Sequence, residues 1–140
     1  MDWDIRSVNE SDLPFIYSTW INAMRYDSPL GKTCRVTIFT KEYVKVIDSI
    51  LDLDTTNILI ACHVEDPYII FGYLVYQPNL IHFTYVKDIF RQMGICKSLA
   101  EVAKITPSAV FTNKTMSITP ILNKYLYLEY NPFILFKKEN

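Results

Sequence analysis

Between Asn57 and Val86 three apolar runs follow one another, Asn57 to Val64, Ile69 to Tyr76 and Leu80 to Val86, broken only at Glu65-Asp66-Pro67 and Gln77-Pro78-Asn79. Gaps that short permit hairpins and forbid crossover helices, so the three runs are predicted to be antiparallel neighbours. The first two are apolar on both faces, which suits strands covered by helices on each side.

The flanking segments supply those helices. Trp3 to Val8 reads as a first strand, with Trp3, Ile5 and Ser7 on one side and Arg6 and Val8 on the other. Asn9-Glu10-Ser11-Asp12 offers N-cap chemistry, and Pro14 is tolerated in a first turn. Leu13, Ile16, Tyr17, Trp20, Ile21 and Met24 then make one continuous helical stripe. Asp27-Ser28-Pro29-Leu30-Gly31 breaks it, and the segment through Arg35 and Thr37 reads as a loop. Thr40 is predicted to cap a second helix carrying Tyr43, Val44, Ile47, Ile50 and Leu51 inward, ending near Asp52-Leu53-Asp54.

Beyond Val86 the chain turns through Lys87 to Gly94 into a helix with Ile95, Leu99, Val102 and Ala103 on its inner face, stopped by Thr106-Pro107. Ala109 to Thr112 is a short strand, parallel to the preceding one because a helix separates them. A polar stretch, a brief helix around Pro120 to Tyr125 and an aromatic tail broken at Asn131-Pro132 complete the chain. The fold class predicted is a single α/β (α+β) domain over residues 1–140, with a mixed, mostly antiparallel sheet flanked by helices on both faces.

Composition agrees and excludes some functions. With 140 residues, half of them apolar, 14% aromatic and 21% charged, there is material for one core and no sign of disorder. A formal charge of −1 disfavours direct nucleic-acid binding, which needs clustered positive charge. Cys34, Cys62 and Cys96 lack any metal-ligand spacing and read as reduced thiols of a cytoplasmic protein, so no metal is expected. No apolar leader or stretch of about 20 apolar residues argues for secretion or a membrane.

The chemistry concentrates between Tyr85 and Lys97. There a strand runs into a loop carrying Gly94 and then a helix, whose first amides lack intrahelical partners. Such a terminus suits an anion, with Arg91 and Lys97 beside it. Gly94 can equally be a plain turn glycine. Arg91-x-x-Gly94-x-Cys96, following the Tyr85-Val86 strand, resembles the Q/R-x-x-G-x-G/A acyl-CoA signature of the GNAT (Gcn5-related N-acetyltransferase) superfamily, with Cys96 where that family prefers glycine or alanine. The element order resembles the same fold from end to end. Ile5-Arg6, Asp12 to Tyr17, Phe71 to Tyr76, His82 to Lys87 and Tyr130 to Phe133 together resemble short GNAT-like proteins of tailed phages and prophages.

The resemblance implies an acyl-CoA-dependent N-acyltransferase moving an acetyl group from acetyl-CoA to an amine of a small molecule, a protein or a modified nucleobase. It implies that the pantetheine arm of CoA lies along Thr84, Tyr85 and Val86. The pyrophosphate would meet Arg91, Gln92, Met93, Gly94, Ile95, Cys96 and Lys97. The Val86 amide would polarise the thioester carbonyl. An acceptor amine must lose a proton, and His82, four residues before Val86 and on its face by the period of two, is the candidate base. Its other reading is a packed strand histidine; His63 reads as structural. Tyr125 and Tyr127 are candidates to protonate the departing thiolate, although the usual asparagine-to-tyrosine helix is missing from this C-terminal part. The segment from Ser28 to Thr37, with Lys32 and Arg35, and the tail would line the acceptor site of a monomer or homodimer.

A second function class is a catalytically inactive GNAT-like module, a virion or assembly component or a host-directed binder in the host cytoplasm. It predicts a cleft filled by Met93 or Phe90 and a His82 tied off by packing.

Overall fold

The three apolar runs become β2 (Asn57–His63), β3 (Ile70–Gln77) and β4 (Leu80–Val86), paired antiparallel in that order. β1 (Trp3–Ser7) adds antiparallel to β2, while β5 (Val110–Phe111) and β6 (Glu129–Tyr130) add in parallel beyond β4. The result is a six-stranded mixed sheet in chain order. The structure is a computed structural model and describes residues 2–115 and 129–136. The brief helix expected around Pro120 to Tyr125 falls outside the described residues.

Helices lie on both faces. α1 (Leu13–Asp27) and α3 (Val36–Leu51) set Ile16, Trp20, Phe39, Tyr43 and Ile47 against Ile58, Ile60, Tyr73, Val75 and Phe83. α4 (Ile95–Val102) sets Ile95 and Leu99 against Ala61, Phe71 and Leu74 on the other face. Each such large apolar side chain contributes about 2 kcal/mol on leaving water. α4 is the crossover that makes β5 parallel to β4.

Two expectations are corrected between α1 and α3. The segment read as a loop contains α2 (Pro29–Thr33), which follows Ser28 because Ser28 adopts extended backbone and its hydroxyl accepts from the Gly31 amide. Pro29 therefore opens a helix at its first position and does not merely interrupt one. α2 folds back so tightly that a Cβ on Gly31 would lie 2.2 Å from the Met24 carbonyl oxygen. α3 begins at Val36 and not at Thr40, because Phe39 extends the buried stripe of Tyr43, Ile47 and Ile50 by one turn. Val102, expected inward, is 54% exposed; α4 ends there, and Ala103 packs on the core in its place.

Two bulges break the period of two. Register skips Phe71 in β3 and His82 in β4. Each skip moves a side chain across the sheet: Phe71 and Ile81 join the α4 face although Tyr73, Phe83 and Tyr85 pack on the α1 side.

The N-terminal corner is clasped by a part-buried ion pair. Arg6 donates to both Asp12 oxygens at 2.7 and 2.9 Å and to the Pro67 carbonyl, tying β1, the turn before α1 and the β2–β3 connection together. The Asn9 amide donates to the same carboxylate. The Arg6 hydrogen bond is the main reason that the Asp12 carboxyl sits below its ordinary pKa.

Candidate functional site

β4 and β5 part company almost as soon as they meet. Their pairing covers Leu80–Val110 and Ile81–Phe111, with one further ladder bond from the Thr112 amide to the Ile81 carbonyl. The next rung is made by a side chain: Asn113 Nδ2 donates to the His82 carbonyl at 2.9 Å. From Phe83 to Val86, β4 has no β5 partner among the described residues.

That stretch points its donors outward. Lys87 N donates to Phe71 O, which makes Gly72 and Val86 a non-hydrogen-bonded pair, and Leu74 and Thr84 are another. The amides and carbonyls of Thr84 and Val86 therefore face away from β3, toward the open side of the fork. The Val86 carbonyl accepts from Arg91 Nε at 3.0 Å. Its amide has no acceptor among the described residues.

The loop that follows delivers a second set of amides to the same corner. Gln92 has φ +64° and Gly94 φ +93°, two left-handed residues that swing the chain into α4. Gly94 is the N-cap, and a Cβ there would meet nothing within 4 Å, so backbone conformation and not crowding requires glycine. The first bond of the helix runs from Ser98 N to Gly94 O. The amides of Ile95, Cys96 and Lys97 thus precede any intrahelical acceptor. Arg91 forms a 2.8 Å ion pair with Asp88 beside them.

His82 stands at the base of the fork as a buried, fully engaged ring. Nε2 lies 2.7 Å from Gln77 Oε1 and Nδ1 lies 2.9 Å from Thr112 Oγ1. Gln77 Oε1 can only accept while Gln77 Nε2 donates to Thr55, so the ring carries its proton on Nε2 and Nδ1 accepts from Thr112. Asn113 Nδ2 donates to Thr112 Oγ1, and the Tyr43 hydroxyl donates to Asn113 Oδ1. This chain of partners is satisfied from Thr55 to Tyr43. Burial lowers the His82 pKa to about 4, so the ring is neutral, and neither nitrogen is open to a substrate.

The other residues singled out by the sequence divide clearly. Thr84, Tyr85, Val86 and the loop from Arg91 to Lys97 converge at one end of β4. Cys96 turns inward, its sulfur 3.8 Å from Thr84 Oγ1, and burial raises its thiol pKa. Phe90 stacks on Phe71 with centroids 4.0 Å apart, and Met93 is 36% exposed. His63 accepts from the Glu65 amide and meets Phe71 edge-on, a local role. Tyr125 and Tyr127 lie outside the described residues. Gln77, Thr112, Asn113 and Tyr43 were not signalled by the sequence, because their partnership exists only once β3, β4, β5 and α3 assemble.

The sequence matches no family profile and no curated protein. Solved structures do match. The apo form of YjaB from Escherichia coli superposes with a TM-score of 0.64 at 13% identity, over 89% of this chain and 82% of that one. The aminoglycoside antibiotic 6'-N-acetyltransferase AAC(6')-Ih from Acinetobacter baumannii gives 0.50 at 14% identity, over 99% of each chain. AAC(6')-Iy, solved with the bisubstrate analogue CoA-S-monomethyl-acetylneamine, gives 0.50 at 15% identity, over 100% and 99%. At such identities the likeness is one of architecture: this chain has the GNAT fold.

Proposed function

We propose that the chain is an acyl-CoA-dependent N-acyltransferase, with acetyl-CoA as donor and an amine of a small molecule, a protein or a modified nucleobase as acceptor. The observation that carries this reading is the meeting of two donor sets at one corner, the outward amides of Thr84 and Val86 and the free amides of Ile95, Cys96 and Lys97 behind left-handed Gly94. An extended amide-bearing arm suits the first and a pyrophosphate the second. That neighbours of this fold are acetyltransferases, one solved with a CoA bisubstrate analogue, supports it.

Acetyl-CoA supplies an activated thioester. In this reading the Val86 amide donates to the carbonyl oxygen as negative charge develops there. Arg91 and Lys97 add positive charge near the phosphates. His82 holds the fork in place of taking the acceptor's proton, because both its nitrogens are spent, and the proton that the amine nitrogen loses passes through solvent to balance the one that the thiolate sulfur gains. A proton for the departing thiolate from Tyr125 or Tyr127 belongs to the same proposal.

The test is calorimetric titration with acetyl-CoA, followed by CoA-thiol release with a panel of amines. A dissociation constant of micromolar order and a melting point that rises with ligand are expected, about 2.7 kcal/mol of stabilisation at a hundredfold excess over that constant. No binding at millimolar acetyl-CoA overturns the reading. A second reading, a GNAT-fold module without turnover, is favoured by the engaged His82 ring; binding without CoA release for any amine would establish it.

A further inference from the structure

We propose that the cavity between α1, α3 and the corner where β1 gives way to β2 is a second binding site, for a small organic ammonium ion with an apolar body. It lies near the start of β2 and the end of β3, at the opposite end of the strands from Gly94. Its volume is about 430 Å³, in the range of small-molecule sites.

Its walls define the occupant. Val8, Leu13, Leu51 and Ile58 supply apolar surface, and Tyr17 adds an aromatic ring. Asp52 lines the same cavity at the C-terminus of α3, where the helix dipole favours positive charge and the last turn carries no basic residue. Asp48, one turn earlier and outside the cavity lining, accepts from the Tyr17 hydroxyl. Among the described residues no Lys, Arg or His lines the cavity. Lys45, the cation next along α3, pairs with Glu42. Apolar walls, the Tyr17 side chain and the Asp52 carboxylate together favour a cation that also has surface to bury. Desolvation, and then the carboxylates of Asp48 and Asp52, push the Tyr17 phenol up to about 12, so it remains a neutral donor to Asp48. A free carboxylate or phosphate ligand would meet like charge here.

The experiment is a ¹H–¹⁵N titration of the full chain with benzylammonium, benzyl alcohol and benzoate. Saturable shifts at Val8, Tyr17 and Asp52 are expected with benzylammonium, about tenfold tighter than with the neutral alcohol and absent with benzoate. Asp52→Asn should weaken benzylammonium about tenfold while the circular dichroism spectrum is unchanged. Ser7→Trp, at an exposed position on the cavity's edge, should block it without touching a carboxylate. Equal binding of all three probes, unchanged affinity in both variants, or shifts confined to Thr84–Lys97 overturns the proposal. The last outcome would mark the amine as an occupant of the fork. Because the probes contain no CoA, failure here leaves the acyltransferase reading standing, and the reverse holds.

Discussion

His82 Nε2 lies 2.7 Å from Gln77 Oε1, an oxygen that can only accept, so Nε2 carries a proton, and burial, which lowers the ring's pKa to about 4, leaves Nδ1 without one. A side chain chosen by the sequence as a proton acceptor is therefore a strut at the point where β4 and β5 diverge. The distinction has measurable consequences.

The first is pH dependence. The folded pKa of His82, about 4, lies below the ordinary histidine value, so the unfolded chain binds the proton more readily in between. The contribution of this burial is complete above about pH 6.5 and is lost as pH falls toward 4, amounting to about 3 kcal/mol. Denaturant melts between pH 7 and pH 4 should show that decline, and His82→Gln should flatten it. A stability profile flat over this window would contradict the neutral, engaged ring.

The Arg6–Asp12 clasp adds a later acid step. Because the folded Asp12 pKa is lowered, its contribution is present above the ordinary carboxylate value and disappears as pH falls through the folded one. Asp12→Ala leaves Arg6 and the Asn9 amide without their acceptor and should cost about 2–4 kcal/mol at pH 7. Thermal melts from pH 7 downward check this: the gap between wild type and variant should narrow once the pH falls below the ordinary carboxylate value and through the lowered Asp12 pKa.

At Gly94 strain and function separate. An alanine there fits sterically but must adopt φ +93°, so Gly94→Ala should cost about 1 kcal/mol of stability. If the amides behind Gly94 hold a pyrophosphate, relaxation of the loop should cost acetyl-CoA about tenfold in affinity, more than stability alone explains. Calorimetry on a variant whose melting point is known decides the matter. Unchanged affinity would remove the phosphate role of this turn.

Gly31 gives the opposite case. Its backbone is ordinary, but a Cβ would lie 2.2 Å from the Met24 carbonyl and 2.5 Å from the Arg25 Cα. Gly31→Ala must push α2 off the end of α1, at a cost of about 2–3 kcal/mol. A melting-point drop should be accompanied by chemical-shift changes confined to α2 and the ends of α1 and α3.

The sequence by itself determined the antiparallel meander, the α1 stripe, the crossover helix and the strand parallel to β4, because each rests on local spacing: short gaps for hairpins, steps of three and four for helices, a helix between parallel strands. The Arg91–Lys97 turn was legible for the same reason, since a glycine between strand and helix is a local signal. Only the tertiary structure decided the state of His82. Its bulge, its tautomer and its burial depend on Gln77, Thr112 and Asn113, the latter two some thirty residues away in the chain, and no local pattern records that meeting. α2 was likewise hidden, since Pro29 and Gly31 read as breakers until packing on Met24 makes proline a helix start and glycine the one residue that fits.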